Sequence, residues 1–167
     1  MVRPSPIDAW EVAAAVPDPE LPFVTIADLG ILRMVSEEDG KIVITVTPTY
    51  SGCPAMRTIM GDVRDRVEKA GFGSVDVRTV LSPPWTTDWI TPQGRRKLSE
   101  AGVAPPGPAP TRGESVPLHL TPVRRSVTCP HCGSRDSTLR SEFSATACKA
   151  LYQCRACREP FEYVKEL

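Results

Sequence analysis

Two Cys-x-x-Cys pairs constrain this chain more than any other feature. They are Cys129-Pro130-His131-Cys132, followed by Gly133, and Cys154-Arg155-Ala156-Cys157. In each pair a tight turn directs two sulfurs at one ion, and the interval between the pairs is long enough for one hairpin. Gly133 supplies the positive φ that such a knuckle often requires. Two knuckles brought together give tetrahedral S₄ coordination, which suits Zn²⁺. Rubredoxin-like iron is the alternative occupant. With all four positions filled by Cys129, Cys132, Cys154 and Cys157, such a site is structural and not catalytic. A thioredoxin-like redox motif is disfavoured, because it places one CxxC inside a βαβ unit and not two around a hairpin. Residues 123–167 are too few for a self-supporting hydrophobic core, so the metal is expected to staple a small β zinc ribbon. His131 lies between two ligands and is expected to face solvent.

The first hundred residues read as one α/β (α+β) unit. Ser5-Pro6 with Asp8 is a helix start, with Ile7, Trp10 and Ala14 on one face. Ile31–Val35 and Lys41–Thr47 read as strands joined by the polar turn Glu37-Glu38-Asp39-Gly40. Pro54 opens a long helix with Met56, Ile59, Met60, Val63 and Val67 as its apolar stripe, and Gly71 is its expected C-cap. Ser74–Leu81 alternates as a third strand. Thr91-Pro92 starts a short helix that ends near Gly102. Residues 101–122 carry Pro105, Pro106, Pro108, Pro110, Pro117 and Pro122. They are expected to break any regular element and to act as a proline-stiffened linker, which holds His119. The predicted organisation is therefore 1–100, a linker over 101–122, and a ribbon over 123–167.

Twenty basic residues balance twenty acidic ones. There is no overall positive field to hold a nucleic acid, and the ribbon has few aromatic residues for stacking. No apolar run is long enough to span a bilayer, and the N-terminus lacks a signal-peptide core. A cytoplasmic location is expected. There, six cysteines read as ligands or reactive thiols, not disulfides.

Two cysteines fall outside the paired motifs. Cys53, in Thr47-Pro48-Thr49-Tyr50-Ser51-Gly52-Cys53-Pro54, joins a buried strand to an amphipathic helix. At a helix N-terminus, unpaired N–H groups and the positive end of the dipole favour a thiolate, a good soft-metal ligand or nucleophile. A small packed residue is the competing reading. Cys148 lies among small and apolar residues and reads first as a buried side chain; the sharper reading is a functional thiol whose pKa Lys149 lowers. No Ser-His-Asp set, phosphate loop or dinucleotide fingerprint points to a hydrolase or an oxidoreductase.

Asp18-Pro19-Glu20, Ile26-Ala27-Asp28-Leu29-Gly30-Ile31, Thr47 through Pro54, and Pro83-Pro84-Trp85-Thr86-Thr87-Asp88-Trp89-Ile90 occur in the order found in SufT-type iron–sulfur cluster assembly domains. With a ribbon carrying Phe143, Thr146, Cys148-Lys149-Ala150-Leu151-Tyr152 and Cys154, the whole chain resembles the PaaD family of phenylacetate degradation. The resemblance implies a non-catalytic accessory role in maturing iron–sulfur centres of the phenylacetyl-CoA epoxidase system, above all its reductase component. A non-catalytic structural subunit of that complex is the alternative. It implies as partners the epoxidase components and the iron–sulfur assembly machinery, with no nucleic acid and no membrane. Asp18, Glu20 and Cys53 become the candidate cluster-transfer groups, with Cys148 beside them. Structural zinc and a transient iron–sulfur cluster are the expected inorganic partners. Asp28 reads either as a loop-orienting cap or as a plain turn residue. Trp85 and Trp89 are expected to anchor a loop against the core. A homodimer with two Cys53 thiols on one cluster stays open.

Overall fold

Ser5 caps the first helix, α1 (Pro6–Ala14), with a reciprocal pair of hydrogen bonds. The Ser5 hydroxyl accepts from the Asp8 N–H at 3.4 Å, and the Asp8 carboxylate accepts from the Ser5 N–H at 2.8 Å. This is a computed structural model, and it describes residues 5–109 and 126–166. The chain forms two units, 1–97 and 98–167, and the architecture is mixed α+β.

In the first unit, β1 (Leu32–Glu38) pairs antiparallel with β2 (Lys41–Val46), and β2 pairs parallel with β3 (Val75–Thr79). Between β2 and β3 runs α2 (Ala55–Val67), the crossover that a parallel pair requires. β2 is the centre of the sheet, and Ile42–Val46 are all buried. The stripe Ile59, Val63 and Val67 of α2 is buried too. The β1–β2 hairpin turns on Asp39 and Gly40, both at positive φ, which fits a two-residue turn whose twist matches the strands. Glu37 and Glu38 therefore belong to the strand and not to the turn. The helical path after Val67 widens into a π-turn over Glu68–Phe72, and Gly71 at φ 94 ends it.

The buried face of α1 differs from the one its large residues predict. Ile7 is 73% exposed and Trp10 is 37% exposed, whereas Ala9 and Ala13 are fully buried. Ala9, Ala13 and Val16 form the inward stripe at helical spacing. Their small side chains let α1 approach β1 and α2 closely.

The boundary between the units falls inside α3 (Pro92–Glu100). The second unit holds β4 (Val103–Ala104), β5 (Ser137–Ser141), β6 (Lys149–Cys154) and β7 (Pro160–Val164), in the sheet order β4-β7-β6-β5. β5–β6 is the expected hairpin between the two cysteine pairs. β4 was not expected: the stretch read as a linker from residue 101 contributes a strand parallel to β7 before its first proline. The rest of that stretch from residue 110, with His119, lies outside the described residues. Tyr152 stacks on Phe161 at 5.9 Å between centroids and meets Tyr163 edge-on at 5.6 Å. With Ala104, Val127 and Ala150 these rings make a small core that includes the sulfurs of Cys129 and Cys154. Lys149, almost fully buried, is held by Glu162 at 2.8 Å across β6 and β7. Among the described residues no helix is long and apolar enough to cross a membrane.

Candidate functional site

Cys53 sits at the end of the loop that leaves β2. Gly52 turns the chain at φ 82, and the Cys53 N–H donates to the Tyr50 carbonyl at 3.2 Å. The thiol is half-buried. It receives hydrogen bonds from the backbone N–H groups of Ala55 and Met56 in the first turn of α2, which favour the thiolate. They do not win. Burial is the largest influence and opposes ionisation, and the Glu20 and Asp18 carboxylates act in the same sense, so the pKa of Cys53 lies above the ordinary thiol value. The thiolate expected from the helix start alone is therefore a thiol at rest. The same electrostatics show that Asp18, Glu20 and Cys53 come together in space.

Asp18 has a structural task as well. It is buried, and its Oδ1 accepts from the N–H groups of both Glu20 and Leu21 at 2.9 Å. This local cap shapes the turn between Pro17 and Thr25, which are joined by a β-bridge. Glu20 is half-exposed in that turn.

Asp28 is a hub and not a plain turn residue. Its Oδ2 accepts from the Thr25 N–H at 3.0 Å and from Lys97 Nζ at 2.6 Å. Its backbone carbonyl accepts from the Thr91 N–H at 2.9 Å. Burial alone would raise the Asp28 pKa, but Lys97 and Thr25 outweigh it and hold the carboxyl below its usual value. Thr91 in turn caps α3 by accepting from the Gly94 N–H at 2.9 Å. Gly94 has to be small, since a Cβ there would stand 2.7 Å from the Asp28 carbonyl oxygen. Trp85 is buried and donates its indole N–H to the Leu29 carbonyl at 2.9 Å, which makes it an anchor. Trp89 is half-buried, with the Arg33 guanidinium 3.5 Å from its ring centre. Sequence reasoning missed Thr91, Gly94, Lys97 and Arg33. The only signal available was the glycine-containing helix start at Thr91-Pro92.

In the second unit, Cys129, Cys132, Cys154 and Cys157 converge, with all four sulfurs within 4.8 Å of one another. Cys129 Sγ is 3.8 Å from Cys157 Sγ, and Cys132 Sγ is 3.6 Å from Cys154 Sγ. A tetrahedral thiolate site with metal–sulfur bonds of about 2.3 Å has edges of about 3.8 Å, so the set fits a single metal ion. Both knuckles share one geometry. The Cys129 N–H donates to the Ser134 carbonyl at 2.9 Å, and the Cys154 N–H donates to the Glu159 carbonyl at 3.0 Å. The Cys157 backbone N–H and the neighbouring thiols hold Cys154 down to about 6 despite burial. A backbone N–H at Glu159 favours the Cys157 thiolate, but burial and the hydrogen bonds with Cys154, Cys132 and Cys129 push it up to about 12. One sulfur is thus primed as the first ligand. His131 is exposed, with its ring near Gly102.

Cys148 stays outside this cluster. It is half-buried, 3.1 Å from the Thr146 hydroxyl. Lys149, expected as its activating cation, instead donates to Glu162.

Residues 9–79 match the profile of an iron–sulfur cluster assembly protein, and residues 114–165 match that of the PaaD zinc beta ribbon domain. The chain is 48% identical to an Escherichia coli (strain K12) protein named as a subunit of 1,2-phenylacetyl-CoA epoxidase, over 95% of this chain and 91% of that one. This chain belongs to the PaaD family. The PaaD ribbon profile contains all four clustered cysteines, and the assembly profile contains Asp18, Glu20, Asp28 and Cys53. A Porphyromonas gingivalis protein named "Fe-S protein maturation auxiliary factor" is 33% identical over 54% of this chain and 88% of its own length. A crystal structure of a domain of unknown function, DUF59, from Bacillus anthracis matches with a TM-score of 0.50 at 30% identity, covering 55% of this chain and 89% of that one. PaaD chains of this kind thus join a DUF59-like domain to a metal-binding ribbon.

Proposed function

We propose that this chain is a non-catalytic accessory protein of a phenylacetyl-CoA epoxidase system, and that it assists assembly or insertion of the iron–sulfur cluster of the reductase component. The observation that carries this reading is the convergence of Cys53 with Asp18 and Glu20, inside the segment that matches iron–sulfur assembly proteins. One soft thiol beside two hard carboxylates suits a transient cargo. A resident cluster would want four thiolates, and the paired cysteines already form a closed site of their own. The raised Cys53 pKa fits the same role. The thiol is protonated at rest; as iron arrives, the proton leaves and the carboxylates that disfavoured a bare thiolate now face a cation. The ribbon holds zinc through Cys129, Cys132, Cys154 and Cys157, and this zinc supplies folding energy to a small sheet.

A second reading, a structural component of the epoxidase complex, is favoured by the name of the Escherichia coli relative, which makes that protein part of the enzyme. One experiment separates the two. Iron and sulfide are measured in the reductase from cells lacking this protein, and epoxidase reconstituted from matured components is assayed with and without it. Maturation predicts a depleted reductase and a reconstituted enzyme that works without further addition. A fully loaded reductase, with activity that strictly needs the added chain, would establish the structural role.

A further inference from the structure

The metal-binding unit carries a second concave feature, an open groove of about 480 Å³ bordered by Thr138, Arg140, Gln153, Arg155 and Arg158. Three guanidinium groups border it, and they are poorly neutralised. Arg140 directs both its Nε and one terminal nitrogen at the neutral Oε1 of Gln153. Arg155 has one exposed carboxylate, Asp136, at 3.8 Å. Among the described residues no carboxylate lies within ion-pair distance of Arg140 or Arg158.

Two backbone irregularities put these arginines where they are. Leu139 faces Tyr152 and Ser141 faces Leu151, so Arg140 is the extra residue of a β-bulge in β5. Bulges re-aim side chains and concentrate next to functional sites. The second irregularity is at Arg158. The residue after each knuckle adopts a left-handed conformation: Gly133 at φ 74 and Arg158 at φ 67. Glycine takes that conformation freely, whereas a residue with a Cβ is strained there. Two knuckles of one geometry thus differ in that one keeps a strained arginine. Gln153 ties the parts together, since its Nε2 donates to the Arg158 carbonyl at 2.9 Å while its Oε1 holds Arg140.

We propose that this groove docks an acidic, extended segment of a partner protein, with side-chain carboxylates seated on Arg140, Arg155 and Arg158. Guanidinium groups bind carboxylates in forked pairs, and three around one groove set a spacing that a single ion does not satisfy. A carboxylate-bearing segment fits better than a nucleic acid. The chain is neutral overall, so the positive charge is local, and Asp136 at the groove's rim repels a continuous phosphate backbone. β5 is also the terminal strand of its sheet among the described residues, which leaves an edge beside the groove for an extended chain.

The test uses the full-length, metal-loaded chain and a fluorescein-labelled decapeptide of alternating Glu and Thr, followed by fluorescence anisotropy. The expected result is saturable binding that weakens with salt and falls by about tenfold in Arg158→Gly and in Arg140→Gln, the loss of one charge-assisted contact each. Arg158→Gly is an internal control for folding, because glycine relieves the left-handed strain, and its metal content and melting temperature should be unchanged or higher. Absence of saturable binding, or equal affinity in both variants, overturns the proposal. Displacement of the peptide by an equal concentration of inorganic phosphate, or tighter binding of a labelled ten-nucleotide single strand, overturns it in favour of a general anion site.

Discussion

Lys97 places its ammonium 2.6 Å from the Asp28 carboxylate, which is almost wholly buried, and so ties α3 to the loop before β1. The two residues are far apart in sequence, and the loop carries the Asp28-Leu29-Gly30 turn. Replacing Asp28 with Ala removes the acceptor of both Lys97 and the Thr25 N–H. The expected cost is about 2–3 kcal/mol, the range for hydrogen bonds that involve a charged group. All three tryptophans, Trp10, Trp85 and Trp89, lie in the first unit, so urea unfolding followed by tryptophan fluorescence reads this loss without interference from the ribbon.

The same pair gives a pH dependence of definite sign. The folded-state pKa of Asp28 is lowered from its ordinary 3.8. Its contribution is therefore complete above that value and is lost as pH falls below it. Wild-type protein should lose stability of the first unit on acidification through this range, and Asp28→Asn should lose less. Parallel slopes for the two proteins would show that Asp28 is not the group responsible.

Cys53 should react slowly at neutral pH and faster as pH rises, because its pKa is raised. Burial is the main cause and cannot be mutated away cleanly, but the carboxylates can. Glu20→Gln should lower the Cys53 pKa and speed its alkylation by iodoacetamide at pH 7.5, read by peptide mass spectrometry in a Cys148→Ser background. Slower or unchanged alkylation would remove Glu20 from the thiol's surroundings. Under the proposed function, Cys53→Ser should leave circular dichroism unchanged and abolish growth on phenylacetate, whereas Cys148→Ser should have a smaller effect.

Stripping the ribbon metal, or changing Cys129 or Cys154 to Ser, should unfold the second unit while tryptophan fluorescence stays native. Elemental analysis of chelator-washed protein is expected to give one zinc per chain. A metal-free ribbon that keeps its sheet by circular dichroism would refute the staple.

Gly30 and Gly71 make a matched pair of tests. Both have positive φ, but a Cβ at Gly30 would stand 2.6 Å from Trp89 Cβ and 2.7 Å from its carbonyl oxygen, whereas Gly71 has nothing within 4 Å. Gly71→Ala should cost about 1 kcal/mol, from backbone strain alone. Gly30→Ala adds a clash with backbone and should cost more than about 2 kcal/mol in the same urea assay.

The elements whose signals are local were legible in the sequence. The two knuckles, the buried strand β2, the α2 stripe and the capping box at Ser5 all follow from residues within a few positions of each other. What escaped depends on tertiary distance or on small side chains. Ile7 and Trp10 suggested a face for α1, but Ala9 and Ala13, weak as hydrophobic signals, permit the close approach that decides it. The partners of Asp28 come from α3, and no periodicity links Thr91 or Lys97 to residue 28. The ionisation of Cys53 was misread because a helix N-terminus is visible in sequence, while burial and the approach of Glu20 are properties of the folded chain.

The pairing of Val103–Ala104 with β7 decides where this protein can be cut. A ribbon fragment begun at residue 114, where the family profile starts, would lack β4 and leave the backbone of β7 open along Glu162 and Tyr163. An open strand of this kind recruits other chains. Fragments for crystallisation or for metal titration should therefore begin upstream of Gly102, and a protease that cleaves between residues 105 and 125 should release a ribbon that aggregates more readily than one cut before residue 100.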